Sequence, residues 1–381
     1  MEQTWYVAMI WMGLALIASI ISIRTAVSVA LVEIFVGVIG GNYFGLDPNT
    51  GWITFLAGFG AVLLTFLAGA EIEPDVLRKY AKESIAIGFL SFLLPFLGAM
   101  AYAYYIANWS VDASKICGIA LSTTSVAVVY AVMVQTGLNK TELGKIILAA
   151  CFVTDLGTVL ALGIMFATYN VWLVVFAVVT VLVLILTPNF VRAFFKAFSN
   201  HVSEPEIKLI FVMLFGLGWL ANHANSEAVL PAYLLGLVLA GVFQENKEMV
   251  KHLRTATFAL LTPFYFLKAG TIVSVPAVWS GFGLIMILLI VKVGAKFVGV
   301  YPLTFAFRFT HKIGMYTTLL MSTGLTFGSI SALFGYSRGL ITQEQYTILV
   351  TVVIGSAVIP TLIAQWFYEP KSQDLRGSWQ K

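Results

Sequence analysis

Long apolar runs, separated by short polar stretches, dominate this chain of 381 residues and decide what it can fold into. A helix needs about 20 residues to cross a hydrocarbon core of roughly 30 Å. Many of the runs reach that length. Only 10% of the residues are charged, whereas about 25% is typical of soluble domains. The composition excludes a soluble fold and predicts an all-α polytopic membrane protein.

The apolar runs divide into thirteen predicted membrane spans. The first run follows Glu2 without a cleavage pattern and is interpreted as a retained span. The longest connection, 188–206, is interpreted either as an amphipathic helix at the membrane interface or as a basic linker. The predicted limits are 5–23, 26–41, 52–72, 84–106, 114–134, 144–168, 171–187, 207–223, 228–243, 256–275, 278–306, 313–336 and 345–367.

The basic residues follow the span count. Positive residues stay on the cytoplasmic side, and alternate loops differ sharply in lysine and arginine. The N-terminus is therefore predicted outside and the C-terminus in the cytoplasm, and the net charge of +4 indicates orientation rather than a nucleic-acid partner. The predicted outside loops hold only Lys115 and Arg338. The predicted cytoplasmic segments hold Arg24, Arg78, Lys79, Lys82, Lys140, Lys145, Arg192, Lys196, Lys208, Lys247, Lys251, Arg254, Arg308, Lys312, Lys371, Arg376 and Lys381.

Two hydroxyl-rich clusters lie in the fifth and twelfth spans. The first is Leu121–Ser125, and the second is Met321–Ser331 with Ser322, Thr323 and Thr326. The two spans are seven apart and so cross the membrane in opposite directions, as an inverted-topology repeat requires. Hydroxyl groups can satisfy the freed backbone of an interrupted helix, so both spans are predicted to be broken. The alternative is that small residues only allow helices to pack closely.

Few ionisable residues lie at membrane depth, where each costs roughly 2.5–3.5 kcal/mol on the mild insertion scale. Asp155 lies in the middle of the sixth span, and Lys292 and Lys296 share one face of the eleventh span. Glu33 in the second span and Glu71 at the end of the third are candidate accessory groups. These five residues are the first candidates for function.

Asp155 is the predicted site of exchange. Burial favours its protonated form and a bound cation favours its charged form, so proton and cation compete for it. Thr154, Thr123, Thr124 and Ser125 offer hard oxygen ligands, with Asp155 and Thr124 as the expected direct ligands of Na⁺ or K⁺.

The two lysines are the candidates for ion pairing and proton coupling. Lys292 is predicted to hold the empty Asp155 carboxylate as an ion pair, although either lysine can take this role. Lys296 is expected to extend towards the cytoplasmic headgroups near Tyr301 and Arg308. Ser322, Thr323 and Thr326 are further candidate accessory residues.

Other functions fit the sequence less well. A cation channel or uniporter can use the same oxygen atoms, but it does not need an acid and a lysine that exchange partners. An intramembrane aspartyl protease needs two facing carboxylic acids, and no second mid-span aspartate accompanies Asp155. The cysteines, Cys117 and Cys151, both fall in spans, so no disulfide framework or metal cluster is expected. The chain is not predicted to be an enzyme and no cofactor is expected.

At these residues the chain resembles the monovalent cation:proton antiporter-2 family, which includes NapA-type sodium/proton antiporters and the membrane part of Kef-type potassium efflux systems. The resemblance covers nearly the whole chain, and the order and spacing of its motifs carry it. The matching segments are Glu33–Gly41, Phe66–Glu73, Leu121–Ala127, Thr154–Asp155, Leu230–Leu237, Thr262–Phe266 with Gly270, and Lys292.

The resemblance implies thirteen helices in two inverted repeats, with crossed broken helices and elevator-like alternating access. It implies a mobile core at approximately 84–168 and 278–336. A static scaffold that forms a homodimer would comprise approximately 1–72, 171–275 and 345–367, with a short cytoplasmic tail at 368–381.

Relatives carry two polar residues in the sixth span, and the second, an ion-binding aspartate, maps to Asp155. Thr154 stands where they have Asp, Asn or Gln, and this lone aspartate favours electroneutral exchange. The twelfth span has Ser322-Thr-Gly324 instead of the Arg-Gly-Glu common in relatives. No regulatory nucleotide-binding domain is expected after the last span. The expected location is a prokaryotic inner (plasma) membrane.

Overall fold

The structure is a computed structural model, and it describes residues 2–25, 27–70, 72, 75, 79–167, 171–198, 201, 203–224 and 228–370. The described chain is built from helices joined by short connections, so the all-α class is confirmed. The chain divides into two compact units. Unit 1 consists of Met1–Thr50, Val76–Thr158 and Phe266–Lys381, and unit 2 consists of Gly51–Asp75 and Val159–Tyr265.

The helices follow the apolar runs. In chain order they are α1 (Glu2–Thr25), α2 (Val29–Tyr43), α3 (Gly51–Ala70), α4 (Ala81–Tyr105), α5 (Val111–Ser122), α6 (Val126–Gln135), α7 (Glu142–Met165), α8 (Val171–Phe198), α9 (Pro205–His223), α10 (Val229–Glu245), α11 (Lys247–Ala256), α12 (Thr262–Thr271), α13 (Val275–Ser280), α14 (Phe282–Ala306), α15 (His311–Met321), α16 (Thr326–Ser337) and α17 (Gln343–Tyr368). A 3₁₀ turn, Leu138–Lys140, precedes α7, and a π-helical turn, Thr257–Leu261, joins α11 to α12.

Helical segments overlap every predicted span, but not all of them are long. Ten segments of the described chain are long and apolar enough to cross a membrane, with α5–α6 and α15–α16 each counted as one. The apolar helices α2 and α10 are shorter. The number thirteen therefore stays a prediction, as does the assignment of a mobile core and a scaffold. The first two helices and the last one lie in unit 1.

The connection at 188–206 differs from both interpretations. Helix α8 continues as one helix from Val171 through Pro188 to Phe198. Proline is tolerated inside membrane helices because local adjustments satisfy the backbone group that it frees. The predicted span limit at residue 187 was wrong by about three turns, and neither a separate interfacial helix nor a linker begins at Pro188.

The two predicted interruptions are present in unit 1. α5 ends at Ser122 and α6 begins at Val126, so the break falls on Thr123, Thr124 and Ser125. α15 ends at Met321 and α16 begins at Thr326, so the second break starts at Ser322. Both breaks coincide with the hydroxyl clusters, which confirms this part of the predicted fold.

Glycines bring the helices of unit 1 close enough for short polar side chains to meet. A Cβ atom on Gly118 of α5 would lie 2.7 Å from the Phe96 carbonyl oxygen of α4. A Cβ atom on Gly299 of α14 would lie 3.1 Å from the Leu90 carbonyl oxygen, also on α4. Small residues allow such approach between membrane helices. α4 is therefore held tightly against both α5 and α14.

In unit 2, glycines allow a similarly close contact between helices α3 and α10. A Cβ atom on Gly69 of α3 would overlap the Tyr233 carbonyl oxygen of α10. In return, a Cβ atom on Gly236 would overlap the Phe66 carbonyl oxygen and lie 2.9 Å from the Ala70 nitrogen. The two helices thus pack backbone against backbone.

Candidate functional site

Asp155 is buried inside unit 1. It lies near the middle of α7 with 1% of its surface exposed, so it does not face lipid or bulk water. Its Oδ1 atom is buried and has no hydrogen-bond partner among the described residues. A buried carboxylate oxygen without a partner is costly in lipid surroundings. This oxygen is therefore open to a proton or a cation.

Lys296 is the lysine that interacts electrostatically with Asp155. Its side chain is fully buried, and its ammonium donates hydrogen bonds to Ser91 Oγ at 2.7 Å, to the Ser122 carbonyl at 2.8 Å and to Thr124 Oγ1 at 2.9 Å. The expectation that Lys296 extends towards the headgroups is wrong. Two acceptors at the first break and one on α4 hold the ammonium inside the protein.

Lys292 lies one helical turn earlier on α14 and is also fully buried. Its ammonium forms no hydrogen bond within the described residues and no ion pair with Asp155 there. A Cβ atom on Gly324 would overlap Lys292 Nζ, so this nitrogen lies against the second break. The two lysines share a helix face, as their spacing predicts, but they contact different breaks.

The two breaks bind each other through hydroxyl groups. Thr124 Oγ1 donates to the Met321 carbonyl at 2.9 Å, and the Ser125 amide donates to Thr323 Oγ1 at 3.3 Å. Ser125 Oγ also accepts from the Val128 amide at 3.3 Å and so caps α6. The Met321 carbonyl and the Ser125 amide, which lie at the breaks, thus find partners without a continuous helix.

Several predicted ligands use their hydroxyl hydrogens within the protein. The single hydroxyl hydrogen of Thr154 is shared between the Gly88 carbonyl at 3.1 Å and the Ala150 carbonyl at 3.0 Å, and the first of these acceptors ties α7 to α4. Thr123, Ser322 and Thr323 donate to carbonyl groups of the preceding helical turn. Thr326 is the first residue of α16 and is partly buried. Their oxygen atoms keep lone pairs, so Thr154 and Thr123 stay predicted ligands. Ser322, Thr323 and Thr326 stay candidate accessory residues.

Of the two candidate accessory acids, only Glu33 lies in the described part of the chain. Glu33 on α2 is buried, and its Oε2 atom has no hydrogen-bond partner within the described ranges. Glu71 lies outside the described residues. Lys268 on α12, for which the sequence offered no role, is buried and interacts electrostatically with Asp47. None of these observations links Glu33 to Asp155, and its accessory role stays a prediction.

Two site residues have no counterpart in the sequence analysis. Ser91 of α4 accepts a hydrogen bond from Lys296, and Ser356 of α17 lies near Gly324 at the second break. Ser91 shares the long apolar helix α4 with Ser84, and Ser356 is the single serine of α17. Their only sequence signal is a polar residue in the middle of a span, which many packed helices share.

A polar cluster outside the membrane spans fixes the start of α7. Lys79 donates to Glu142 at 3.0 Å, and the Tyr80 hydroxyl donates to the same carboxylate. Hydrogen bonds with Tyr80 and Glu142 raise the pKa of Lys79 above the ordinary lysine value. Burial raises the pKa of Tyr80. All three groups keep their usual charge at neutral pH, so the cluster is intact there.

The described part of the chain offers no multidentate cluster of the usual metal-ligating side chains. It contains no group of three or more histidine, cysteine, aspartate or glutamate side chains that could hold a metal ion. The oxygen atoms around the breaks and Asp155 instead suit a weakly bound monovalent ion. Such an ion would be cargo and not a resident cofactor.

Comparison with known proteins gives a consistent result. The family model described as "Sodium/hydrogen exchanger, transmembrane" matches residues 12–369. The probable Na⁺/H⁺ antiporter 3 of Methanocaldococcus jannaschii is 24% identical, and the alignment covers 97% of this chain and 98% of that protein. The Na⁺/H⁺ antiporter of Enterococcus hirae is 26% identical, with 92% and 94% covered. GerN of Bacillus cereus, named a Na⁺/H⁺-K⁺ antiporter, is 22% identical, with 95% of each chain covered.

A solved structure shares the fold. The sodium proton antiporter MjNhaP1 of Methanocaldococcus jannaschii superimposes with a TM-score of 0.75 over 99% of both chains. The sequences are 14% identical, so the similarity concerns the fold alone.

Proposed function

The chain belongs to the sodium/hydrogen exchanger family of membrane transporters, and from this premise we propose that it exchanges Na⁺ for protons at Asp155. The family transports ions, so the chain is an integral membrane protein and not an enzyme. One observation carries the assignment of the site. Asp155 is a buried carboxylate with an unpartnered oxygen, and it interacts electrostatically with the lysine that holds the first break.

Competition at Asp155 supplies the coupling. A buried carboxylate needs compensation, which a proton, an alkali cation or a nearby ammonium can give. Lys296 donates to Ser91, Ser122 and Thr124 and forms no ion pair with Asp155 among the described residues, so the carboxylate is open to cargo. A cation that binds there displaces the proton, and the reverse step completes the exchange.

We propose electroneutral exchange of one cation for one proton. The position before Asp155 is Thr154, whose hydroxyl hydrogen is bound to backbone carbonyl groups, so a single carboxylate carries the charge. K⁺ is a second candidate cargo, because GerN is named for both ions. Thr124, which accepts a hydrogen bond from Lys296, is the proposed direct ligand from the first break.

Alternating access is proposed to follow an elevator-like movement of the predicted core, 84–168 and 278–336. The hydrogen bonds between the two breaks favour movement of both as one body. We further propose that the predicted scaffold forms a homodimer. The protein is proposed to lie in the plasma membrane with its N-terminus outside. The orientation rests on the lysine and arginine bias of the loops.

Purified protein in proteoliposomes tests the proposal. An imposed proton gradient should drive Na⁺ uptake in the wild type, and Asp155→Asn should abolish it. Asp112→Asn is the matched control, since it makes the same chemical change at an exposed aspartate and should leave exchange unchanged. Cation-dependent proton movement in Asp155→Asn would overturn the site, and Na⁺ flux independent of pH would instead identify a channel or uniporter.

A further inference from the structure

Two buried sulfur atoms lie against each other beside the second break. Cys151 on α7 and Met321, the last residue of α15, are both fully buried, and the Cys151 thiol donates to Met321 Sδ at 3.8 Å. A thiolate and a thioether are soft ligands, which select Cu⁺ and similar ions over the hard alkali cations. We propose that Cys151 and Met321 form a binding site for a soft monovalent cation, Cu⁺ or Ag⁺.

The separation of the two sulfur atoms suits one shared ion. Metal–sulfur bonds are about 2.3 Å long in zinc sites, so one metal ion can contact both sulfur atoms across 3.8 Å in a bent arrangement. A bent arrangement leaves one side of the ion open to a third group. Both sulfur atoms belong to the same apolar cluster as Tyr316 and Leu320, so bulk water does not compete for the ion.

Asp155 supplies the third group. It lies four residues after Cys151, and residues at this spacing share a helix face. Cys151 interacts electrostatically with Asp155, whose Oδ1 atom is buried and has no hydrogen-bond partner in the described part of the chain. Lys296 interacts with both groups, so the three form one buried cluster. The open carboxylate oxygen distinguishes this sulfur pair from an ordinary apolar contact.

Binding exchanges a proton for the metal ion. The thiolate and not the thiol is the metal ligand, so the S–H bond of Cys151 breaks as the sulfur–metal bond forms. The Asp155 carboxylate accepts the released proton and passes it to water, so one proton leaves for each monovalent ion that enters. The charge of the buried cluster is therefore unchanged, and the step needs neither an oxidant nor a reductant.

Entry of the soft ion rests on the proposed function. Cu⁺ and Ag⁺ carry the same charge as Na⁺ and K⁺, and an ion that reaches Asp155 comes within one helical turn of Cys151. Sulfur ligands bind Na⁺ weakly, so Na⁺ leaves in the exchange cycle whereas the soft ion is retained. Because the retained ion lies beside Asp155, it should stop exchange.

Retention of Ag⁺ by the full-length protein in detergent tests the site. Silver nitrate is added in chloride-free buffer, and free methionine then removes the ions that single surface thioethers hold. The wild type should keep one Ag⁺ per chain, measured by inductively coupled plasma mass spectrometry, and should release one proton per ion into weakly buffered solution. Cys151→Ser should keep none. Met321→Leu conserves the side-chain volume and should weaken binding by about tenfold or more.

Cys117→Ser is the matched control. Cys117 is the other cysteine of the chain and is equally buried, and its thiol donates to the Ala99 carbonyl at 3.7 Å. Cys117→Ser should therefore keep the same Ag⁺ as the wild type. Asp155→Asn should bind Ag⁺ more weakly, because an amide does not accept the thiol proton. If Cys151→Ser does not fold, as judged from its Tm without metal, Cys151→Ala takes its place.

Three results would overturn the sulfur site, whatever the exchange assay shows. They are no retained Ag⁺ in the folded wild type, equal retention in Cys151→Ser, and unchanged affinity in Met321→Leu. In proteoliposomes Ag⁺ should inhibit Na⁺ exchange by the wild type but not by Cys151→Ser, each compared with its own rate without metal. A wild type that retains Ag⁺ but does not exchange Na⁺ would refute the proposed function alone.

Discussion

Replacing Lys296 by methionine removes a charged group that joins three helices. The ammonium on α14 donates to Ser91 on α4 at 2.7 Å, and to the Ser122 carbonyl that ends α5 at 2.8 Å. Its third acceptor is Thr124 Oγ1 in the first break at 2.9 Å. Methionine is apolar and nearly as long as lysine, so the change removes charge and donors while creating little cavity. We expect a large loss of stability.

The magnitude follows from these contacts. Each hydrogen bond to a charged group contributes about 1.5–3 kcal/mol, so three give about 5–9 kcal/mol before desolvation of the ammonium is subtracted. Removing one partner from a buried charged network usually costs about 3–5 kcal/mol, because the remaining charge is left uncompensated. Here that charge is Asp155. At about 2 °C per kcal/mol for a long chain, Tm should fall by about 6–10 °C.

Tryptophan fluorescence during thermal unfolding in detergent measures this change. Val298→Met on the same helix, at a position with 70% exposure, is the matched control and should leave Tm unchanged. In an Asp155→Asn background the cost of Lys296→Met should shrink by about 1–3 kcal/mol, since the uncompensated charge is gone. Equal Tm values for Lys296→Met and Val298→Met, or strictly additive costs with Asp155→Asn, would refute the reasoning.

Three further predictions concern stability and use the same assay. Gly236→Ala should destabilise the protein by about 1–3 kcal/mol because its methyl group meets backbone atoms of α3, whereas Gly241→Ala on the same helix has open space and should stabilise by up to about 1 kcal/mol. Thr154→Val should cost about 1 kcal/mol because it removes the one hydroxyl hydrogen that the Gly88 and Ala150 carbonyls share, and Thr154→Ser should restore most of it. Since the pKa of Lys79 is raised, its stabilisation should be complete at neutral pH and disappear only as pH rises above about 10.4, so the Tm difference between wild type and Lys79→Met should vanish there.

The sequence predicted the features that depend on residue type and spacing. Hydroxyl clusters in two apolar runs predicted both helix breaks, because such side chains can satisfy a freed backbone in lipid. The cost of burying charge selected Asp155 and both lysines, which are buried in the structure. The four-residue spacing of Lys292 and Lys296 predicted that they share a helix face.

The remaining features depend on tertiary packing. Whether Lys296 reaches the interface or turns inward is decided by Ser91, Ser122 and Thr124, which come from parts of the chain that sequence spacing cannot place beside it. Single serines such as Ser356 carry no pattern of their own. α8 continues through Pro188 because a proline alone does not end a membrane helix.

The mutual bonding of the two breaks sets an order for biogenesis. Thr124 and its acceptor, the Met321 carbonyl, are 197 positions apart, and ribosomes add about 5–20 residues per second. The first break must therefore wait about 10–40 s for its partner to be synthesised. During that interval the unpaired backbone groups of the first break must be kept out of contact with lipid acyl chains. A nascent chain that is stalled or truncated before residue 321 should therefore be recognised by quality-control proteases as incompletely folded.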